Sequence, residues 1–243
     1  AGTIDTKSGS NYALTVTGDC YVGTGTATLT LNDSVVALGA LGIDSSTATV
    51  TATSSGTLNI TTGSTSFPGE SSSMSIMNAG GHLNHAGTIT ISGGSYFDIM
   101  GATSTVNNVI INGGAYYVGA PTFGGYLTVN AGKQLLSYGG VQTLTVTGDV
   151  TLNGRLKLIG GITADVVFGS LTIASGGEYI AHASGTTTIT SEDGSNYALN
   201  NASGGTLTHN NGKFDITGTG NPELTTPGTG NVYDLEISDG VKW

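Results

Sequence analysis

The chain has 243 residues, of which 41 are Gly; only 9% are charged, and the formal net charge is −10. Ordinary globular domains carry about 25% charged residues, so this surface is built from hydroxyls, amides and backbone, while recurrent Val, Ile and Leu exclude disorder for most of the chain. Six basic residues, Lys7, Lys133, Arg155, Lys157, Lys213 and Lys242, are too few and too scattered to neutralise a phosphate backbone or an anionic membrane surface. No nucleic-acid partner is therefore expected, and no apolar run approaches the roughly 20 residues of a membrane span.

The chain begins at Ala1 without Met, which suits either a removed leader or a piece of a longer polypeptide. The first element, LTVTGDCYV (14–22), alternates apolar and polar, turns at Gly-Asp, and alternates again. It contains Cys20, the single cysteine, so no internal disulfide is possible and, with no basic neighbour, a buried inert thiol is expected. Residues 30–80 are richer in Ser and Thr and less regular, with SSTATVTATSSGTLNITTGSTS (45–66) and SSSMSIMN (71–78). From residue 89 the first pattern returns as ITISGGSYF (89–97), VIINGGAYY (109–117), LTVNAGKQL (127–135), LTVTGDVTL (144–152), LTIASGGEY (171–179) and LEISDGVKW (235–243). Weaker copies start at Leu29, Leu58 and Phe214.

In these segments the first and third columns are apolar, the fifth and sixth are small, and the ninth carries Val22, Phe97, Tyr117, Leu135, Leu152, Tyr179 or Trp243. Two inward residues two apart make a short strand, a small-residue corner follows, and a second strand delivers a larger inward residue. From 89 to 144 the copies start 20, 18 and 17 residues apart, too close for a βαβ unit of about 30 residues. The reading is an all-β parallel β-helix (β-solenoid) of about 17–21 residues per coil, roughly twelve coils stacked at ~4.8 Å into a rod of about 55–60 Å. The alternative is an antiparallel β-sandwich, which also shows short alternating strands. The expected organisation is one domain over 1–243, most regular over 81–190, with 1–80 and 191–243 as less regular coils or loops. The last copy stops in mid-coil, so either another chain covers that end or the natural chain continues beyond 243.

Chemistry is sparse. A glycosidase needs two carboxyls about 5–9.5 Å apart, and the acids near the regular region are Asp98, Asp149, Asp165 and Glu178. Asp149 reads as a turn former, and Asp98 and Glu178 fall in different columns, so no catalytic residue is assigned. A β-elimination lyase would want cations that this chain largely lacks. His82 and His85 of HLNH point to opposite sides of a strand and read as turn residues, not a shared zinc site; His182 and His209 have no ligating neighbour in sequence. SEDGSN (191–196) has oxygen donors but not the spacing of a calcium loop and reads as a solvated turn. No metal or cofactor is expected. Threonines in TATLT (26–30), TATVTAT (47–53), TIT (88–90) and TLTVT (143–147) face outward; with Ser, Asn, Glu and Lys interrupting, they read as a solvent face and not as a flat ice-binding array. The best candidate contact surface is aromatic: Tyr116, Tyr117, Tyr126, Tyr138 and Trp243. Tyr116 and Tyr117 are adjacent, so one of them must point outward.

The repeated [LIV]-x-[LVI] columns, the Gly-rich corners and the ending NVYDLEISDGVKW together resemble the β-solenoid parts of bacteriophage tail and head fibres and tailspikes. They are also similar to filamentous β-helix adhesins of bacteria. The resemblance implies a non-enzymatic structural component of a virion appendage, a rigid rod that presents an assembly or receptor-binding surface. It implies a homo-oligomer (a trimer foremost), other virion proteins and a host surface glycan as partners, and a virion location. The alternatives are a glycan-degrading tailspike-like hydrolase and a secreted or cell-surface adhesin.

Overall fold

The computed structural model describes residues 2–6, 10–23, 25–64, 73–78, 80–94, 96–98, 104–138, 143–159, 165–191, 197–217, 223–225, 227–232 and 234–237. Trp243 and residues 192–196 of SEDGSN lie outside the described residues. The fold is all-β, a parallel β-solenoid of about nine turns. Among the described residues there is no helix, and 24 short strands make up the coils. Two compact units are distinguished, Ala1–Pro121 and Thr122–Trp243.

In the first unit each coil has three strand segments, hence three faces. The first face contains 3–5, 28–32, 49–52, 82–85 and 105–106, each pairing in parallel with the next. The second contains 14–16, 35–38, 57–60, 88–91 and 108–111. The third contains 19–22, 40–43, 76–78, 96–97 and 116–117. Parallel register places side chains of successive coils directly over one another. Thus Leu14, Val36, Leu58, Ile89 and Val109 form one interior column, and Cys20, Leu41, Ile76, Phe97 and Tyr117 another.

The second unit repeats the scheme. Its first face is built from 122–123, 144–146, 166–168, 186–189, 213–216 and 234–237. Its second carries 127–129, 150–152, 171–173, 199–201 and 223–225. Its third carries 134–136, 155–157, 178–180 and 206–208. Phe123, Val146, Phe168, Ile189 and Ile216 stack inside the first face, and Leu135, Leu156, Tyr179 and Leu207 inside the third. All nine are buried. Burying each such side chain is worth about 1.5–3 kcal/mol, and a single coil leaves its interior residues open above and below, so stacking supplies the burial.

Local sequence explains the strands and corners. Thr57–Ile60 and Thr186–Ile189 alternate half-buried and buried residues, with Thr57, Thr186 and Thr188 outward, Leu58, Ile60 and Ile189 inward, and Thr187 turned inward beside them. The TGD corners are β-bulges. Thr17 and Gly18 stand opposite Gly39 alone, and Thr147 and Gly148 opposite Gly169 alone. The extra residue bends the strand from one face into the next. A Cβ on Gly169 would lie 2.5 Å from the Thr147 carbonyl oxygen and 2.6 Å from that of Gly148, so the coils stack this closely only over glycine.

The register corrects the coil length and count. In the first unit, hydrogen-bonded residues on successive coils lie 27 apart in sequence at Asp5 and Asn32, 23 at Leu38 and Thr61, and 21 at Asn84 and Thr105. In the second they lie 22 apart at Phe168 and Thr190, 23 at Arg155 and Glu178, and 28 at Asn201 and Thr229. Coils are therefore longer on average than the doublet spacing implies, and about nine form instead of twelve. The cause is the three-faced coil. Any half-buried strand spells [LIV]-x-[LVI], so aligning copies on that doublet mixes faces. Leu127 and Leu171 stack through Val150, whereas Leu144 and Leu235 belong to the column of Val166, Thr187 and Phe214. Residues 28–32, 35–38, 49–52 and 57–60 take part in the same parallel stacking, with a register shift between Thr30 and Asn32.

Candidate functional site

The tyrosines separate into two kinds. Tyr117 is fully buried and belongs to the core, so it contributes nothing to an exposed surface. Tyr116 points outward, half-buried, and its ring stacks on Tyr96 one coil below, with centroids 5.0 Å apart and planes 24° apart. Tyr96 in turn packs on an apolar cluster of Ala40, Met74 and Met77. Each of these two rings thus spends one face on its neighbour along the stack, which makes a structural ladder. Tyr126 and Tyr138 are exposed, at 37% and 51%. Trp243 lies outside the described residues.

The acids are dispersed and engaged. Asp149 sits at a corner and accepts a hydrogen bond from Ser170 Oγ at 2.8 Å. Asp165 precedes the first face and accepts the backbone N–H of Thr186 at 2.8 Å. Glu178 is on the third face, paired with Arg155 Nε at 2.5 Å. Asp98 lies in the first unit, its N–H bonded to the Ile76 carbonyl. These acids thus sit at different corners and faces, and three of the four hold coils together.

The histidines are placed differently from the sequence reading. His82 and His85 lie within the strand His82–Ile91, not in a turn. They do point to opposite sides, His82 half-buried outward and His85 fully buried inward. Neither ring nitrogen of His85 makes a hydrogen bond of normal geometry. Burial pushes its pKa down to about 4, against the weaker opposing pull of the Gly87 and His85 backbone. His182 and His209 shape turns, their Nδ1 atoms accepting the N–H of Ser184 and Asn211. Among the described residues no group of three His, Cys, Asp or Glu is placed to hold a metal ion. Cys20 is half-buried at the head of an interior column, and burial pushes its thiol up, away from reactivity.

One polar concavity stands out, on the third face of the second unit. A groove of about 300 Å³ is lined by Gly132, Lys133, Gln134, Gly154, Arg155, Gly176 and Glu178. Turns enter this face with Gly132 and Gly176 at positive φ, 69° and 80°; at both positions a side chain would meet nothing within 4 Å. Glycine is required there by the backbone, and its missing side chain leaves the space open. Gln134, Arg155 and Glu178 follow in one outward column on three successive coils. Arg155 donates through Nε alone, and neither its terminal nitrogens nor the side chains of Lys133 and Gln134 are engaged among the described residues. Sequence reading noted Arg155 and Lys157 but missed this grouping. The signal was Gly-Lys (132–133), Gly-Arg (154–155) and Gly-Glu (177–178), a dipeptide that recurs once per true coil.

No protein-family model, curated protein or solved structure matches this chain.

Proposed function

We propose that the protein is a non-enzymatic structural component of an extracellular appendage, foremost a virion tail or head fibre, in which stacked coils form a stiff element that presents an assembly or receptor-binding surface. The observation that carries this reading is the parallel register that stacks side chains coil over coil on each face within each unit, broken only by local bulges, and reinforced by hydrogen bonds between outward polar residues of neighbouring coils. Asn32 donates to Asp5 at 2.7 Å, and Thr105 donates to Asn84 at 3.1 Å. Such cross-coil bonding favours stiffness over motion, which suits a mechanical role. The commitment of Asp149, Asp165 and Glu178 to structural bonds favours this reading over the hydrolase. A bacterial surface adhesin shares the same mechanics and differs in location. A homo-oligomer, with a trimer first, is the proposed assembly.

The test combines sedimentation equilibrium of the purified chain, negative-stain imaging of purified virions labelled with an antibody to it, and a reducing-sugar assay on host surface polysaccharide. Self-association, label on an appendage and no sugar release support the proposal. Release of reducing ends that disappears in Glu178→Gln or Asp149→Asn would replace it with the hydrolase, and label on cells instead of particles would replace it with the adhesin.

A further inference from the structure

We propose that the groove over Lys133, Gln134, Arg155 and Glu178 binds a carboxylated glycan, with the sugar chain running along the solenoid axis of the second unit. The inference deepens the reading of this chain as a surface-presenting element and rests on it. Three of the six basic residues of the chain, Lys133, Arg155 and Lys157, gather on this one face. With Glu178 they sum to +2, so the remaining residues carry −12 of the total −10. A local cationic site in so acidic a chain selects an anionic group, because charge complementarity steers the encounter.

The donor set points to carboxylate with hydroxyls beside it. The free terminal nitrogens of Arg155 form a planar fork that fits a carboxylate in bidentate fashion, and the Lys133 ammonium adds a second cation at the same groove. The unengaged Gln134 amide offers a donor and an acceptor. Glu178, held by Arg155 through one oxygen, accepts from sugar hydroxyls through the other. Gln134, Arg155 and Glu178 repeat at the coil rise of ~4.8 Å, close to the length of one pyranose in an extended chain, so consecutive sugars meet consecutive coils. A polyphosphate fits poorly. Nucleic acid carries one charge per ~1.7 Å of duplex, and single strands need stacking rings; among the described residues no aromatic side chain lines this groove.

The experiment is titration calorimetry of the full chain with hexagalacturonate, maltohexaose and a sulfated heparin hexasaccharide, at low and at moderate salt. The expected result is binding of hexagalacturonate that weakens with salt, no measurable binding of maltohexaose, and weaker binding of the sulfated probe. Lys133→Gln/Arg155→Gln is expected to weaken hexagalacturonate about tenfold or more, as loss of two charge-assisted contacts implies, with an unchanged circular dichroism spectrum. Lys213→Gln, which removes an exposed cation on a different face, is expected to leave affinity unchanged. Equal binding of maltohexaose, tighter binding of the sulfated probe, no binding of hexagalacturonate, or equal loss in Lys213→Gln would each overturn the proposal. So would low-salt self-association abolished by the double variant, which would assign the groove to a second copy. Failure here with self-association and appendage labelling intact removes the ligand and leaves the structural role standing.

Discussion

His85 offers the sharpest physical test of the interior. Its ring is fully buried, and its in-register neighbours are Ala52 and Val106, neither of which offers it a charge or a hydrogen bond. The folded chain therefore holds the imidazole neutral, with a pKa of about 4 against 6.5 in the unfolded chain. Protonation favours the unfolded state, so the contribution is fully present above pH 6.5, falls as pH drops from 6.5 to about 4, and changes no further below that. At about 1.4 kcal/mol per pH unit the whole loss is about 3 kcal/mol, most of it gone by about pH 4.5. Urea unfolding followed by far-ultraviolet circular dichroism at about pH 7.5, 5.5 and 4.5, on wild type and His85→Leu, isolates the term, because every carboxylate is common to both chains. The variant is expected to be at least as stable at pH 7.5, since it removes a buried polar ring whose nitrogens make no hydrogen bond of normal geometry, and to lose about 2–3 kcal/mol less than wild type by pH 4.5. Identical pH slopes for the two chains would show that His85 is solvated or partnered in solution, and the reasoning would fail.

Tyr179→Phe removes the partner of the buried Thr187 hydroxyl, bonded at 2.7 Å, and is expected to cost about 1–3 kcal/mol in urea unfolding; adding Thr187→Val should recover most of it, and a second loss of similar size would contradict the coupling. Gly169→Ala drives a Cβ into the Thr147 and Gly148 carbonyls and is expected to cost about 2–3 kcal/mol or more by the same assay. Gly114→Ala, where a Cβ meets nothing within 4 Å, should stay within about 1 kcal/mol of wild type. Changing Thr128, Thr151 and Thr172 together to Asp stacks three carboxylates on successive coils; about 2 kcal/mol of stability should be lost at low ionic strength and partly restored by salt.

The parallel solenoid was legible because alternation and small-residue corners are local signals. LTVTGDVTL announces strand, corner and strand by itself, and the structure makes that corner a bulge over Gly169. Which strands stack was not legible. Leu127 and Leu144 look like the same column, yet one sits on the second face and the other on the first. Face identity depends on how much chain each turn consumes, and that varies from coil to coil. The candidate groove was hidden for the same reason. Lys133, Arg155 and Glu178 become neighbours only when a full three-faced coil separates each from the next, and the shorter period of the doublets sends them to different places. Tyr117 could be paired with Tyr116 as one in and one out, but only the register with Phe97 decides which.

The low charge of this chain follows from its register. Parallel stacking puts each outward residue ~4.8 Å from its counterparts above and below, where two like charges repel by about 1 kcal/mol even in water. A hydroxyl or amide has no such conflict, because it donates to one neighbour and accepts from the other. The charges that do occur obey the same constraint. Arg155 lies over Glu178, and Lys213 over Asp234 while it bonds Glu236. Asp5 takes a bond from Asn32, and Asp33 from Asn11 and Thr53. Asp44 takes one from Tyr21, and Asp19 from Ser64. Among the described residues one register pair of like sign occurs, Asp215 with Glu236, and Lys213 is the cation that answers it. The composition is thus the chemical signature of side chains repeated along one axis. Lys133 is a cation that no described residue neutralises, and Arg155, though paired with Glu178 through Nε, keeps its terminal nitrogens open; such unspent donors in so economical a surface are where a ligand is to be sought.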